Sequence, residues 1–221
     1  FDVASVSLKG ARNYQEDSLL SCFPIGQDTG FAVLADGMGG HTAGHVASGL
    51  VVAETFAHLK MKSVMMEKGV LDIPATLQEA ADAANTRVAA HIAEDKAAAG
   101  MGSTLLSVVI RRDRLYWVSV GDSPLYLFRD GALRQLNQDH SLAPHIDMLV
   151  QKGAMTAEAG RNHPERNTLT SAIAGVPFED VDCPSCSVML RPDDVVVIAS
   201  DGLQYLSDAA IAETLKQTRH E

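Results

Sequence analysis

The amino-acid sequence predicts an α+β fold, a layered sandwich in which antiparallel sheets are covered by helices. Two observations carry this: short strand-like runs bracket two long helical stretches, and no regular strand–helix–strand alternation links them. Residues 1–221 fit one large domain, because a single core stops growing only near ~250–300 residues. A composition that is 46% hydrophobic and 21% charged is that of a folded chain and not of a disordered tail.

The elements follow in order. Val3–Leu8 alternates apolar and polar residues and leads into Arg12-Asn-Tyr-Gln-Glu16-Asp17. Phe31–Ala35, preceded by Gly30 and followed by Asp36-Gly37, reads as a buried strand ending in a turn. From about Thr42 to Lys60, Val46, Leu50, Ala53 and Ala57 recur at helical spacing and predict one apolar face. A second helix is expected from about Ala75 to Lys96, with Pro74 just inside its start and Leu77, Ala81, Ala84, Val88 and Ile92 inward. Thr104–Arg111, Leu115–Val120, Leu125–Arg129 and Leu133–Leu136, with turns at Arg112-Asp113 and Asp130-Gly131, read as an antiparallel meander. Residues 141–176 mix short helical patterns with Gly and Pro and suggest an insert lying over the domain. Val188–Leu190 and Val195–Ala199 return to strand character. Asp208 then caps a helix to Gln217, with Ala210, Ile211 and Leu215 inward.

A net charge of −10 disfavours nucleic acid, whose affinity comes from Lys and Arg neutralising phosphates. An acidic chain can still act on phosphate groups where its carboxylates hold cations. Cys22, Cys183 and Cys186 are an odd set in a chain too long to need disulfides, which points to a reducing, cytoplasmic setting. Cys183-Pro-Ser-Cys186 lacks a second metal-binding pair and reads as a coincidence of spacing. No stretch approaches the ~18 apolar residues of a membrane span. The start at Phe1 leads us to expect an upstream piece.

One device occurs three times: a strand ends in a small residue, then an Asp, with a Gly beside it. The three are Ala35-Asp36-Gly37, Gly121-Asp122-Ser123 and Ser200-Asp201-Gly202. Strand ends are stiff mounts, and an adjacent Gly lets the backbone approach an ion closely. Three carboxylates brought to one sheet edge repel, so they need cations or raised pKa values; hard oxygen ligands suit Mg2+ or Mn2+.

At these residues the sequence resembles the metal-dependent phosphatase family known as PPM, or type 2C, in its compact bacterial form. The ordered segments are Arg12-x-x-Gln-Glu16-Asp17, Asp36-Gly-Met-Gly-Gly40-His41, Gly102-Ser-Thr104, Gly121-Asp-Ser123, Asp139-His-Ser141, His163-Pro-x-Arg-Asn167 and Ser200-Asp-Gly202. Each is weak alone, whereas the ordered set is specific and runs nearly end to end. The resemblance implies a four-layer αββα sandwich, two antiparallel sheets flanked by helix pairs, and hydrolysis of phosphoserine and phosphothreonine in proteins phosphorylated by a serine/threonine kinase. It implies two Mn2+ or Mg2+ ions and a weaker third. By carry-over, Asp36 bridges two cations, the Gly37 carbonyl binds one, Asp201 binds the other, and Asp122 with Asp201 forms the third site. Glu16 holds a cation-bound water, Asp17 stands behind it, and Arg12 grips the substrate phosphate. A monomer acting in the cytoplasm, away from membrane and nucleic acid, is the expected form.

The chain departs from the pattern at several points. Met38 stands where human-type members carry His, Gln15 where Asn is usual, and Pro124 and Ser171 where Arg is common. His41 is expected to start the long helix, and His140, His145 and His163 to serve as loop or capping residues. No Asp-Asn pair follows the last helix, so one ligand beside Asp201 and one or two strands are expected to be missing from the sequence. These departures keep open an alternative: a catalytically impaired regulatory or binding domain of the same fold.

Overall fold

The computed structural model describes residues 1–10, 14–39 and 42–217. In chain order the strands are β1 (Asp17–Cys22), β2 (Thr29–Met38), β3 (Gly102–Ser103), β4 (Leu105–Arg111), β5 (Arg114–Val120), β6 (Leu125–Arg129), β7 (Ala132–Gln135), β8 (Val188–Met189) and β9 (Val195–Ile198). The helices are α1 (Thr42–Glu67), α2 (Ile73–Glu94), α3 (Ala143–Gln151), α4 (Ala157–Arg161) and α5 (Asp208–Gln217).

Alternation along the strands sorts the apolar residues into two cores, since neighbouring side chains on a strand point to opposite faces. Phe31, Val33 and Ala35 of β2, Leu105 and Val109 of β4, and Val118 and Val120 of β5 pack beneath α1 and α2. Their neighbours Ala32, Leu106, Val108, Ile110, Leu115 and Trp117 face the other way, towards Leu125, Val196 and Ile198. The first sheet runs β1-β2-β4-β5-β8, with β3 added to the end of β2, and the second runs β7-β6-β9. All these pairings are antiparallel. With α5 against β7, the layers are helix pair, sheet, sheet and helix. Two buried polar struts join them. Asp182 Oδ2 accepts from Trp117 Nε1 of β5 at 2.9 Å and from the Gln138 N–H beyond β7 at 3.0 Å, and Asn137 takes the Leu125 N–H at 2.7 Å while donating to Ser119 and Ser123.

Several expectations need correction. Asp36-Gly37 is not a turn: β2 runs on through Met38 because β3 pairs Gly37 with Ser103 and Met38 with Gly102. The middle strands are not one meander. β4 and β5 belong to the first sheet and β6 and β7 to the second, the chain changing sheet between Val120 and Leu125. On α1 the buried line is Ala47, Val51 and Leu59, while Ala53 and Ala57 face solvent. Apolar residues lie on more than one side of this helix, so periodicity alone allowed either face. Ser207, not Asp208, caps α5, its Oγ taking the Ala210 N–H at 3.3 Å, and Ala212 replaces Ala210 beside Ile211 in the buried face. Val3–Leu8 joins neither sheet and is exposed, although the Phe1 ring meets Phe23 edge-on at 5.4 Å.

The insert carries α3 and α4 and is pinned at its base by bridges from Ser141 to Leu169 and from Ser103 to Ile173. Ser171, buried at 4% exposure, donates to the Asp180 carbonyl at 2.6 Å and accepts its N–H at 3.2 Å. At this position, then, the structure has a hydroxyl that ties one loop to the next.

Candidate metal centre

The strand ends do converge. Asp17, at the start of β1, lies directly across from Asp36 near the end of β2. Asp122 sits in the crossing between β5 and β6, and Asp201 opens the 3-10 turn after β9. Burial pushes the Asp36 carboxyl up to about 8, and the charges of Asp17, Asp201 and Asp122 push the same way. Asp122 is pushed up to about 6 by burial and by the charges of Asp201 and Asp139. Burial also raises Asp139. This is an acidic cluster on five separate segments, with charges that oppose one another.

The backbone holding Asp36 is fixed on both sides. Its N–H donates to Thr104 Oγ1 at 2.9 Å, and its carbonyl accepts from Thr104 N–H at 2.8 Å and Ser103 Oγ at 2.9 Å. Thr104 Oγ1 also bonds Ser123 Oγ at 2.8 Å, tying the Asp36 mount to the Asp122 mount. Gly121 makes this contact possible. Its φ is +102°, and a side chain there would meet Thr104 Cγ2 at 2.7 Å. The Gly-Ser-Thr and Gly-Asp-Ser motifs thus act as one bracket.

Glu16 and Gly37 are joined through the Gly37 N–H, which donates to the Glu16 carbonyl at 3.1 Å. α1 enters against them at Gly44, where a methyl group would lie 2.9 Å from Glu16 Oε1 and 3.0 Å from the Gly37 carbonyl oxygen. Asp17 Oδ2 accepts from Ser200 Oγ at 3.0 Å, linking β1 to the Asp201 segment. Among the described residues Glu16 Oε1, Asp17 Oδ1 and Asp139 Oδ1 are buried oxygens with no hydrogen-bond partner.

Those orphaned oxygens test the fit to cations. A buried carboxylate oxygen without a donor is costly, and several together are stable only with positive charge near them. The donors here are all oxygens, as Mn2+ and Mg2+ prefer. Among the described residues no three His, Cys, Asp or Glu side chains yet close on one point as a finished shell. The mutual charge effects nevertheless place Asp17, Asp36, Asp122 and Asp201 within one field, and the residues fit the ions.

Of the residues expected from sequence, Glu16, Asp17, Asp36, Gly37, Asp122 and Asp201 come together here. Arg12 and His41 lie outside the described residues. Asp139, Ser200 and Gly44 also belong to the neighbourhood. Asp139 was visible as the first residue of Asp139-His-Ser141, but nothing local marks a loop Asp as part of a cluster. His140 accepts the Gly121 N–H at 3.2 Å through Nδ1, a structural role, and His163 Nδ1 takes the Glu165 N–H at 3.3 Å. Cys183, its thiol pushed up to about 11 by burial and then by Asp182 and Asp72, is free, as are Cys22 and Cys186. No helix among the described residues is long and apolar enough to cross a membrane.

Comparison with known proteins bears on this centre. The sequence pattern of the protein phosphatase 2C family matches residues 11–220. The chain is 38% identical over 185 residues to the serine/threonine protein phosphatase PstP of Mycobacterium tuberculosis, covering 83% of this chain and 34% of that protein. It is 31% identical over 188 residues to the serine/threonine phosphatase Stp of Listeria innocua, covering 85% and 72%. The chain thus spans about a third of the length of PstP. A crystal structure of the catalytic domain of PstP in complex with two manganese ions superposes with a TM-score of 0.70 at 33% identity, over 93% of this chain and 80% of that one.

Proposed function

The chain belongs to the protein phosphatase 2C family, and from that membership and the acidic centre we propose that it is a metal-dependent protein serine/threonine phosphatase. The observation that carries this reading is the buried set of mutually repelling carboxylates with unpartnered oxygens, a repulsion that bound cations relieve. Residues 1–221 act as one catalytic domain in this reading.

When bound, Mn2+ or Mg2+ supplies Lewis acidity: a water acidified towards neutrality and charge compensation for the phosphoryl oxygens. The protein's part is to hold and orient. Asp36, central to the cluster, would hold the ions through its carboxylate, and the Gly37 carbonyl beside it would offer a neutral oxygen. Asp201 would serve a second ion, and Asp122 with Asp201 would serve a weaker third. Glu16, whose buried Oε1 lies beside Gly44 without a hydrogen-bond partner, would align the attacking water. Asp17, held by the Ser200 hydroxyl, would stand behind it. Arg12 offers a fork of donors to the phosphate, an assignment made from sequence alone. Positioning of water and phosphate in line is then the main contribution, and no side chain needs to attack phosphorus.

The substrates are phosphoserine and phosphothreonine proteins, the products of a serine/threonine kinase, met in the cytoplasm by a monomer. Nucleic acid is not among the partners, in keeping with the charge of −10. A catalytically impaired module is the weaker reading, because the carboxylates come together and the similar proteins are named as phosphatases.

The test is phosphate release from phosphothreonine peptides with and without Mn2+. Turnover should require the cation and fall by about a hundredfold or more in Asp36→Ala. Release that is independent of divalent cation, or undiminished in the variant, would sink the proposal.

A further inference from the structure

β1 is an edge strand whose described strand partner is β2 alone. The bond from Gly37 N–H to the Glu16 carbonyl sets the alternation of the ladder. In the continuous register that follows, Ser18, Leu20 and Cys22 turn their backbone groups to β2, while Asp17, Leu19 and Ser21 turn theirs outward. Among the described residues no backbone group from elsewhere in the chain pairs with those of Leu19 or Ser21. Past Asp17 the strand reads Ser-Leu-Leu-Ser-Cys, with neither charge nor proline to discourage a further strand.

Beside this edge lies a groove. Ser18 Oγ meets Ser48 Oγ of α1 at 3.0 Å, so Ser18, and with it Leu20 two residues on, faces the helix. Ser18, Leu19 and Leu20 with Gly49, Val52 and Ala53 enclose an open space of about 350 Å3. Leu20 is 44% exposed, and a methyl group added at Gly49 would touch nothing within 4 Å. The strand therefore offers a row of free backbone partners and, next to it, a small apolar floor. Its first residue is Asp17, a member of the carboxylate cluster.

We propose that the β1 edge and the groove under α1 bind the extended segment flanking the phosphorylated residue of a protein substrate, as an added outer strand with one apolar side chain over Gly49 and Ala53. The proposal rests on the phosphatase reading, which makes the occupant a peptide whose phosphorylated residue sits at the cluster where β1 begins. At ~3.3 Å per residue, Leu20 is ~10 Å from Asp17, so the apolar side chain stands three or four residues from the phosphorylated one. Main-chain pairing supplies affinity without reading sequence, and the groove supplies the preference.

The experiment compares two phosphothreonine peptides that differ only in carrying Leu or Asp four residues from the phosphothreonine, on either side, with p-nitrophenyl phosphate as a substrate too small to reach the groove. The wild-type protein with Mn2+ should favour the Leu peptide by about tenfold in kcat/KM, mostly through KM. Gly49→Leu, which fills the groove with a better helix former, should erase that preference and leave p-nitrophenyl phosphate turnover within about twofold. Leu20→Glu, at an exposed position, gives the same readout if the Gly49 variant folds poorly.

Equal kcat/KM for the two peptides in the wild type, or a preference that survives both substitutions, would overturn the proposal. So would a concentration-dependent dimer that Gly49→Leu dissolves, since the edge would then belong to a second copy. Absence of p-nitrophenyl phosphate turnover with Mn2+ in the wild type would instead strike the catalytic reading itself, and this proposal with it.

Discussion

Arg129 and Asp194 show what one residue pair contributes away from the acidic centre. The Arg129 guanidinium closes a fork on Asp194, Nε to Oδ1 at 2.9 Å and Nη2 to Oδ2 at 2.6 Å, and also donates to the Met189 carbonyl at 2.8 Å. Asp194 takes the Arg191 N–H as well, and its side chain is only 4% exposed. The pair thus fastens the end of β6 to the turn before β9, and Arg129 ties it to β8 of the other sheet. The hydrogen bonds from Arg129, more than the remaining charges, hold the Asp194 carboxyl below its ordinary value of 3.8. With the folded value depressed, the unfolded chain takes up the proton first, so the stabilisation is present above pH 3.8 and is lost as pH falls through the folded value. Asp194→Asn should lower the thermal midpoint at pH 7 by roughly 3–8 °C, the range expected for losing charge-assisted hydrogen bonds in a domain of this size. Calorimetry from pH 7 down to pH 3 should show the gap between variant and wild type closing at the acid end. A gap that stayed constant would mean that packing, not the ion pair, carries the effect.

Helix α1 sets two glycines five residues apart in opposite circumstances, which makes it a test of how an element can serve a site. Gly49 costs the helix, since Gly is roughly 1 kcal/mol poorer than Ala in a helix interior, whereas Gly44 lies in the first turn. At Gly49 nothing would resist a methyl group, so Gly49→Ala should raise the thermal midpoint by roughly 1–3 °C and leave the hydrolysis of p-nitrophenyl phosphate alone. At Gly44 the same methyl would press on Glu16 Oε1 and on the Gly37 carbonyl. Gly44→Ala should cut turnover by about tenfold or more and weaken Mn2+ binding, as displacement of groups that support metal ligands does. Measured side by side, equal effects of the two substitutions on turnover would mean that the N-terminal turn of α1 does not touch the chemistry. Nothing in the helical periodicity separates these two glycines. The difference appears only when the end of β2 arrives against the helix.

At the scale of the whole molecule, what could be read in the sequence and what could not divide along the distance of the contacts. β6 and α2 were legible because alternation and helical spacing are local, and β6 has the predicted bounds to the residue. The split between two sheets was not, because β6 finds β9 some seventy residues later, and no local signal says which strands share a ladder. The same holds at the centre. Asp36, Asp122 and Asp201 stood out because each follows an apolar run and has a glycine beside it, whereas Asp139 lies in a loop and enters only through folding. The molecule thus gathers from distant segments a set of like charges that its own hydrogen bonds do not satisfy, and that sets up a linkage between folding and cation binding. A cation that binds the folded chain and not the unfolded one stabilises it by about 2.7 kcal/mol at a hundred times its dissociation constant, or roughly 5–10 °C in the midpoint. The chelated protein should therefore melt lower than the same protein in saturating Mn2+ by that amount. Asp36→Asn should behave differently on both counts: it should gain little from Mn2+, and in chelator it should melt at or above the wild type, because one member of the repelling set is gone. If chelation left the wild-type midpoint unchanged, or if Asp36→Asn melted lower in chelator, the carboxylates would be satisfied without cations and the strain assigned to them would not exist.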